Sequence, residues 1–185
     1  MIFLTVGSMF PFDRLVRSVD EMIGQKLIEG TIVAQIGDGR YEPQHMAFDR
    51  FLPKPEYDMR IGKATMLISH AGAGTIALAL RYHKPLLVVP RLKRFNEHVN
   101  DHQVATARKF EELGHVLVAY DMQNIPATLH ALSNFSPRSR VVRPQELARR
   151  IGVFLETLLP PGYTANARND ACAQSSERQS HLKQS

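Results

Sequence analysis

The chain has 185 residues, 44% hydrophobic content and a formal charge of +5, enough for one domain with a full core. Its longest apolar stretches run to about five residues, which excludes a bilayer span, since that takes roughly 20. Cys172 is alone, which excludes an internal disulfide and fits a reducing cytosol.

The opening MIFLTVGSMF has no basic n-region and no small-residue cleavage site. It therefore reads as a strand, Met1–Val6, closed by the turn Gly7-Ser8-Met9, and a cytoplasmic location is expected. Apolar residues at Phe12, Leu15, Val16, Val19, Met22 and Ile23 have helical spacing, with Asp13 in the first turn where its charge suits the helix dipole. Thr31–Ile36 predicts a second strand and Phe48–Leu52 a third. Pro55 opens a short helix to about Gly62 or Lys63.

The stretch from Thr65 to Pro90 is the organising unit. An apolar run (Met66, Leu67, Ile68) ends at Ser69-His70, and the turn Ala71-Gly72-Ala73-Gly74-Thr75 follows. A helical segment from Ile76 to Tyr82 then leads into the run Leu86–Val89. Apolar run, glycine turn, helix and apolar run make a βαβ unit of a buried parallel sheet. Helix-start N–H groups carry partial positive charge, and residues without a Cβ let a phosphate approach them. Gly72 and Gly74 fit that purpose, and they fit equally a tight turn where helix and sheet pack. No Gly-Lys-Ser/Thr follows, so this is not a Walker loop, and a dinucleotide fingerprint would need a third glycine. His70 fits a ligand contact or a polar strand terminus.

After the loop Arg91–Asn96 a helix is expected from Glu97 or His98 to Leu113, stopped by Gly114. Val116–Ala119 predicts a strand. Asn124–Ser133 predicts a helix, with Asn124 as N-cap and Pro126 in the first turn. Pro144 starts a last helix whose Leu147, Ile151, Phe154, Leu155 and Leu158 share one face. The domain is expected to span residues 1–160. Residues 161–185, with almost nothing apolar to bury, are expected to be a disordered tail.

The sum is an α/β protein, a single doubly wound, mostly parallel, Rossmann-like sheet of about six strands. Ligands of such sheets bind beyond the carboxyl ends of the strands. That rim would bring together Gly7-Ser8, Phe51-Leu52, His70–Thr75 and the loop after Pro90.

On the expected helix, His98 and His102 are four apart and share a face, as two metal ligands would. Val99 stands where the metalloprotease pattern needs glutamate, and no third ligand lies near in sequence. Asn100, Asp101, His102 and Gln103 also fit a hydrogen-bonding cluster for sugar hydroxyls, or a capped, solvated helix start. Arg138, Arg140, Arg143, Arg149 and Arg150 face one acid, Glu146, in a basic run. That run fits anionic lipid, an acidic partner or a solvated face. Nucleic acid is not expected, because no such motif is present and no aromatics interleave with the arginines.

ISHAGAGT, KPLLVVPR, NDHQ and the opening FLTVGS, in that combination, resemble the C-terminal, donor-binding half of family 28 GT-B glycosyltransferases over roughly residues 1–133. The chain looks like the soluble subunit of split transferases of this family, such as the dolichol-pathway N-acetylglucosaminyltransferase. It looks closest to bacterial exopolysaccharide transferase subunits, which work with a membrane-anchored partner on lipid-linked sugars. The resemblance implies a two-chain inverting transferase moving a sugar from a UDP-sugar to a polyprenyl-diphosphate-linked saccharide. The chain would sit at the inner membrane face through its acceptor-binding partner. UDP-sugar would be a substrate, with neither metal nor other cofactor. Gly72, Ala73, Gly74 and Thr75 would hold the donor diphosphate and Phe51 and Leu52 the uracil. His102 and Gln103 would read the sugar, Gly7 and Ser8 would line the cleft, and Arg91 would add charge. No catalytic base is identified on this chain; it would come from the partner. Many relatives carry a ribose-binding glutamate on the helix after the glycine turn, where this chain has Leu78. The second reading is a non-catalytic subunit that stabilises the membrane partner.

Overall fold

The computed structural model describes residues 1–139 and 144–158. The expectations for residues 159–160 of the domain, for the tail over residues 161–185, for Arg140 and Arg143, and for the side chain of Leu147 fall outside the described residues. Residues 1–140 form one compact unit, which carries six strands: β1 (Ile2–Thr5), β2 (Ile32–Gln35), β3 (Ala47–Asp49), β4 (Met66–His70), β5 (Leu86–Val89) and β6 (Leu117–Val118). Every pairing is parallel, in the order β3-β2-β1-β4-β5-β6. Five helices belong to this unit: α1 (Asp13–Gly24), α2 (Lys54–Lys63), α3 (Ala73–Arg81), α4 (His102–Glu112) and α5 (Ile125–Leu132). The second unit contributes α6 (Pro144–Leu158).

Alternation along the central strands divides the core into two layers. Ile2, Leu4, Ile68, Leu87 and Val89 face one side, with Leu15, Val16 and Val19 of α1 and Ile125, Leu129 and Leu132 of α5. Phe3, Leu67, Leu86 and Val88 face the other, with Ile61 of α2, Ile76, Ala79 and Leu80 of α3, and Ala107 of α4. Helices on both faces make the sheet doubly wound, as its uninterrupted apolar runs require.

Several boundaries differ from expectation, and at the glycine turn α3 starts at Ala73 rather than Ile76, so the turn's last residues are already helical. The third strand is Ala47–Asp49, ending before Arg50, so Phe51 and Leu52 belong to the loop beyond it. Its position is set by pairing with Val33–Gln35 of β2, a tertiary constraint. The helix expected from Glu97 or His98 starts at His102. Asn96 is in the left-handed region, at φ 56°, and Glu97 turns inward to Arg14. Asn124 makes no side-chain cap, because a 3₁₀ turn over Met122–Asn124 leads directly into α5.

Candidate functional site

The strand order reverses between β1 and β4, so the connections leaving them diverge and open a crevice at their carboxyl ends. A rung of buried polar residues closes the sheet there, since Gln35, Thr5 and Ser69 lie in register on β2, β1 and β4. Thr5 Oγ1 donates to Gln35 Oε1 at 2.6 Å and Ser69 Oγ donates to Thr5 O at 2.6 Å. Gln35 Nε2 donates to Gly7 O and Arg50 O, both at 3.0 Å. One glutamine thereby ties the loop after β1 to the loop after β3. Tyr57 of α2 completes the floor, its hydroxyl 3.3 Å from Thr5 Oγ1. Burial raises the Tyr57 phenol above its ordinary range, so it stays a neutral hydrogen-bonding group.

His70 ends β4 under the glycine turn. A Cβ on Gly72 would overlap its ring, and one on Gly7 would stand 2.8 Å from Nε2, whereas a Cβ on Gly74 would meet nothing within 4 Å. The glycines therefore serve different ends: Gly7 and Gly72 admit the imidazole, while Gly74 leaves open space over the start of α3. Gly72 caps α3, and Ile76 N–H returns to Gly72 O at 3.1 Å. The N–H groups of Ala73, Gly74 and Thr75 precede any intrahelical partner. Burial, reinforced by the positive fields of Arg91 and His98, pulls the His70 pKa down to about 3, so the ring is neutral at pH 7.

The loop after β5 forms the opposite wall. Arg91 is 2% exposed, and its Nη2 donates to Val6 O at 2.7 Å and to Phe10 O at 2.5 Å. The guanidinium packs on Phe12. Its Nε is buried without a partner among the described residues. Burial lowers its pKa to about 10, which leaves it cationic at neutral pH. Glu97 receives a forked pair from Arg14, at 2.6 and 2.8 Å, and the N–H of Leu92 at 2.9 Å. This locks the loop to α1. Gln103 is 3% exposed, and its Oε1 accepts from Ala71 N–H at 3.2 Å and Arg91 N–H at 3.1 Å. Asn100 Oδ1 holds the His102 ring and its N–H. Asp101 Oδ1 accepts from Lys93 N–H at 2.7 Å. The His98 ring lies between Phe10 and His102, at centroid distances of 4.9 and 4.5 Å. His98 precedes α4, so the two histidines meet through this loop rather than on one helix.

These walls enclose a cavity of about 670 Å³. Gly7 and Ser8, Phe51 and Leu52, and His70, Gly72, Gly74 and Thr75 line it, together with Arg91, His102 and Gln103. Ala73, Asn100 and Asp101 stand outside its lining. Asp101 lies on a separate hollow of about 600 Å³ beside β6. Leu78 and His98 also line the main cavity, as do Met9, Phe10, Gln35, Lys54 and Tyr57, five residues that the sequence did not single out as ligand contacts. Gln35 alone had a signal, an amide closing an otherwise apolar strand. Among the described residues no three His, Cys, Asp or Glu side chains gather as a metal site.

With this geometry in view, the relatives are informative. The chain is 33% identical over 125 residues to the UDP-N-acetylglucosamine transferase subunit ALG13 of Homo sapiens, a match covering 62% of this chain and 10% of that protein. The ALG13 of Eremothecium gossypii is 48% identical over 54 residues, 29% of this chain and 24% of that one. The chain thus matches about a tenth of the human relative's length. Among solved structures, the NMR solution structure of ALG13 superposes with a TM-score of 0.52 at 21% identity, covering 80% of this chain and 92% of that one. The crystal structure of the glycotransferase of kitacinnamycin superposes with a TM-score of 0.54 at 19% identity, covering 71% and 34%. Both share the fold. The glycosyltransferase family 28 C-terminal domain matches residues 1–148, most of the chain, and the protein belongs to that family.

Proposed function

We propose that this chain is the donor-binding subunit of a two-chain, inverting glycosyltransferase, and that its cavity takes a UDP-sugar. The supporting observation is the union, in one 670 Å³ cavity at the β1/β4 switch point, of an open helix start at Gly74 and the buried cation Arg91. The diphosphate lies against the N–H groups of Ala73, Gly74 and Thr75, where peptide dipoles favour an anion. Phe51 and Leu52 pack on the base, and His102, held by Asn100, reaches the sugar. The acceptor hydroxyl attacks the anomeric carbon and the bond from that carbon to the β-phosphate oxygen breaks, its electron pair leaving with UDP. Charge growing on that oxygen is met by preorganised N–H donors and the field of Arg91. The hydroxyl proton passes to a base on the partner.

The human and fungal relatives are called subunits of a UDP-N-acetylglucosamine transferase, which supports a partner chain here. The fuller proposal is a membrane-anchored, acceptor-binding partner and a polyprenyl-diphosphate-linked acceptor in exopolysaccharide or glycolipid assembly. Among the described residues no helix is long and apolar enough to cross a membrane. The test is transfer from a panel of radiolabelled UDP-sugars to lipid extracts, with the chain alone and co-purified with its neighbouring-gene product. Transfer is expected only from the pair; transfer by the chain alone would overturn the split-enzyme reading.

Leu78 supports a second reading, a subunit that stabilises the partner without using nucleotide. It lines the cavity with an apolar side chain where the resemblance calls for a ribose-binding glutamate. A pair that transfers sugar equally well after Gly74→Asp would favour it.

A further inference from the structure

His70 lines the cavity beneath the glycine turn, and the side of the ring that bears its hydrogen decides what an anion meets there. We propose that Gln103 is a positioning residue that fixes this hydrogen on Nε2, so that the ring shows the cavity a donor and not a lone pair. The assignment of the hydrogen follows from the chain's own hydrogen bonds. Its use by a ligand rests on the proposed diphosphate site.

The orientation of the Gln103 amide is set first. Oε1 accepts from two backbone N–H groups, Ala71 just beyond β4 and Arg91 in the loop after β5. A flipped amide would turn its NH₂ toward both, leaving two buried N–H groups unpaired, which is costly. Nε2 therefore faces His70 Nδ1, at 3.4 Å. An amide nitrogen only donates, so Nδ1 must present its lone pair. The ring is neutral at pH 7 because burial, with Arg91 and His98 nearby, depresses its basicity. A neutral imidazole that accepts at Nδ1 carries its hydrogen on Nε2.

Nε2 lies 3.4 Å from Thr75 Oγ1 in the first turn of α3. A threonine hydroxyl that accepts there can donate its own hydrogen to another acceptor, the Tyr57 hydroxyl beside it or a ligand oxygen. The donors then run in one sense, from Gln103 to His70 to Thr75 and on to an anion above the glycine turn. The opposite tautomer would set N–H against N–H at Gln103 and turn a lone pair toward the anion. Gln103 would thus act through His70, with one amide hydrogen of Nε2 left over for a direct contact.

The test uses the full chain with ¹⁵N-labelled histidine. Long-range ¹H–¹⁵N correlation spectra distinguish the two neutral tautomers, and His70→Asn identifies the His70 signals. The wild type should show the Nε2–H form at pH 7. Gln103→Glu keeps both acceptor contacts but replaces the donor by an acceptor, so the hydrogen should move to Nδ1 or the ring should become doubly protonated. Gln103→Leu, which adds no charge to repel UDP, should give mixed tautomers and weaken UDP at least threefold by calorimetry. An Nδ1–H wild type overturns the proposal, and that spectrum needs no Gln103 variant, only His70→Asn for its assignment. An unchanged Nε2–H signal in Gln103→Glu overturns it as well. Shifted tautomers with unchanged UDP affinity would overturn the role toward ligand. A wild type that fails to bind UDP would overturn the proposed function, while the spectra still decide what Gln103 does.

Discussion

Gly7 and His70 meet across the β1/β4 switch point so closely that a Cβ on residue 7 would stand 2.8 Å from His70 Nε2. Gly7 also sits at φ +76°, where an L side chain is strained. Gly7→Ala is therefore expected to destabilise the domain by about 1–3 kcal/mol, combining backbone strain with displacement of the ring. Thermal unfolding by circular dichroism measures this. Gly74→Ala is the control: the added Cβ meets nothing within 4 Å, and the melting temperature should hold or rise slightly. Equal losses in the two variants would show that His70 is not wedged as described.

Such contacts bear on what the sequence could reveal. The βαβ unit around Thr65–Pro90 was legible because its apolar runs and glycine turn are local signals. The convergence of Gly7-Ser8, Phe51-Leu52, the glycine turn and the loop after Pro90 followed from the rule that parallel sheets bind ligands at one edge. The separate tasks of Gly72 and Gly74 were not legible, because they depend on where the His70 ring lies. The start of α4 was missed for a similar reason. Glu97 has ordinary helix-forming character, but its side chain is committed to Arg14, 83 residues away. Tyr57 and Gln35 enter the site only through strand register and helix packing.

Acid stability should follow from two groups. His70 is held at a pKa of about 3 by burial, then by Arg91 and His98, while an unfolded histidine titrates near 6.5. Between those values the unfolded state binds the extra proton, so stability is full above about pH 6.5 and falls as pH drops toward 3. Asp20 is fully buried. Burial alone would raise its pKa, but the N–H groups of Gln44 and His45 and the Tyr41 hydroxyl hold it below the usual value. Its contribution is present above about pH 4 and lost below that. Urea midpoints measured from pH 7 to pH 4 should decline in the wild type and decline less in His70→Asn. Parallel profiles would contradict the assignment.

Asp20 has a structural consequence at neutral pH. By accepting from Tyr41, Gln44 and His45 it pins the β2–β3 connection to α1. Asp20→Ala should cost about 2–4 kcal/mol, since it removes a carboxylate that satisfies several donors. Chemical denaturation at pH 7 would measure it, and a loss below 1 kcal/mol would mean that the loop finds other partners.

The Arg14–Glu97 fork should matter to both stability and the cavity wall. Glu97→Ala strands a partly buried guanidinium and frees the Leu92 N–H. Because Arg14 is partly solvated, a loss of about 1–3 kcal/mol is expected, less than for a fully buried pair. Amide hydrogen exchange should quicken across residues 91–101 before it changes in β1 or β4. Uniform quickening would show that the fork supports the whole domain rather than this loop.

The central claim is that the cavity at the β1/β4 edge holds a nucleoside diphosphate against the glycine turn. The most direct test is calorimetric titration of UDP into the wild-type chain and into Gly74→Asp, whose side chain has room in the fold but brings negative charge to the phosphate position. The account predicts saturable UDP binding, absent with uridine alone, and at least a tenfold weaker affinity in Gly74→Asp, about 1.4 kcal/mol, with unchanged circular dichroism. Equal UDP affinity in the two proteins, or equal binding of uridine and UDP by the wild type, would contradict it.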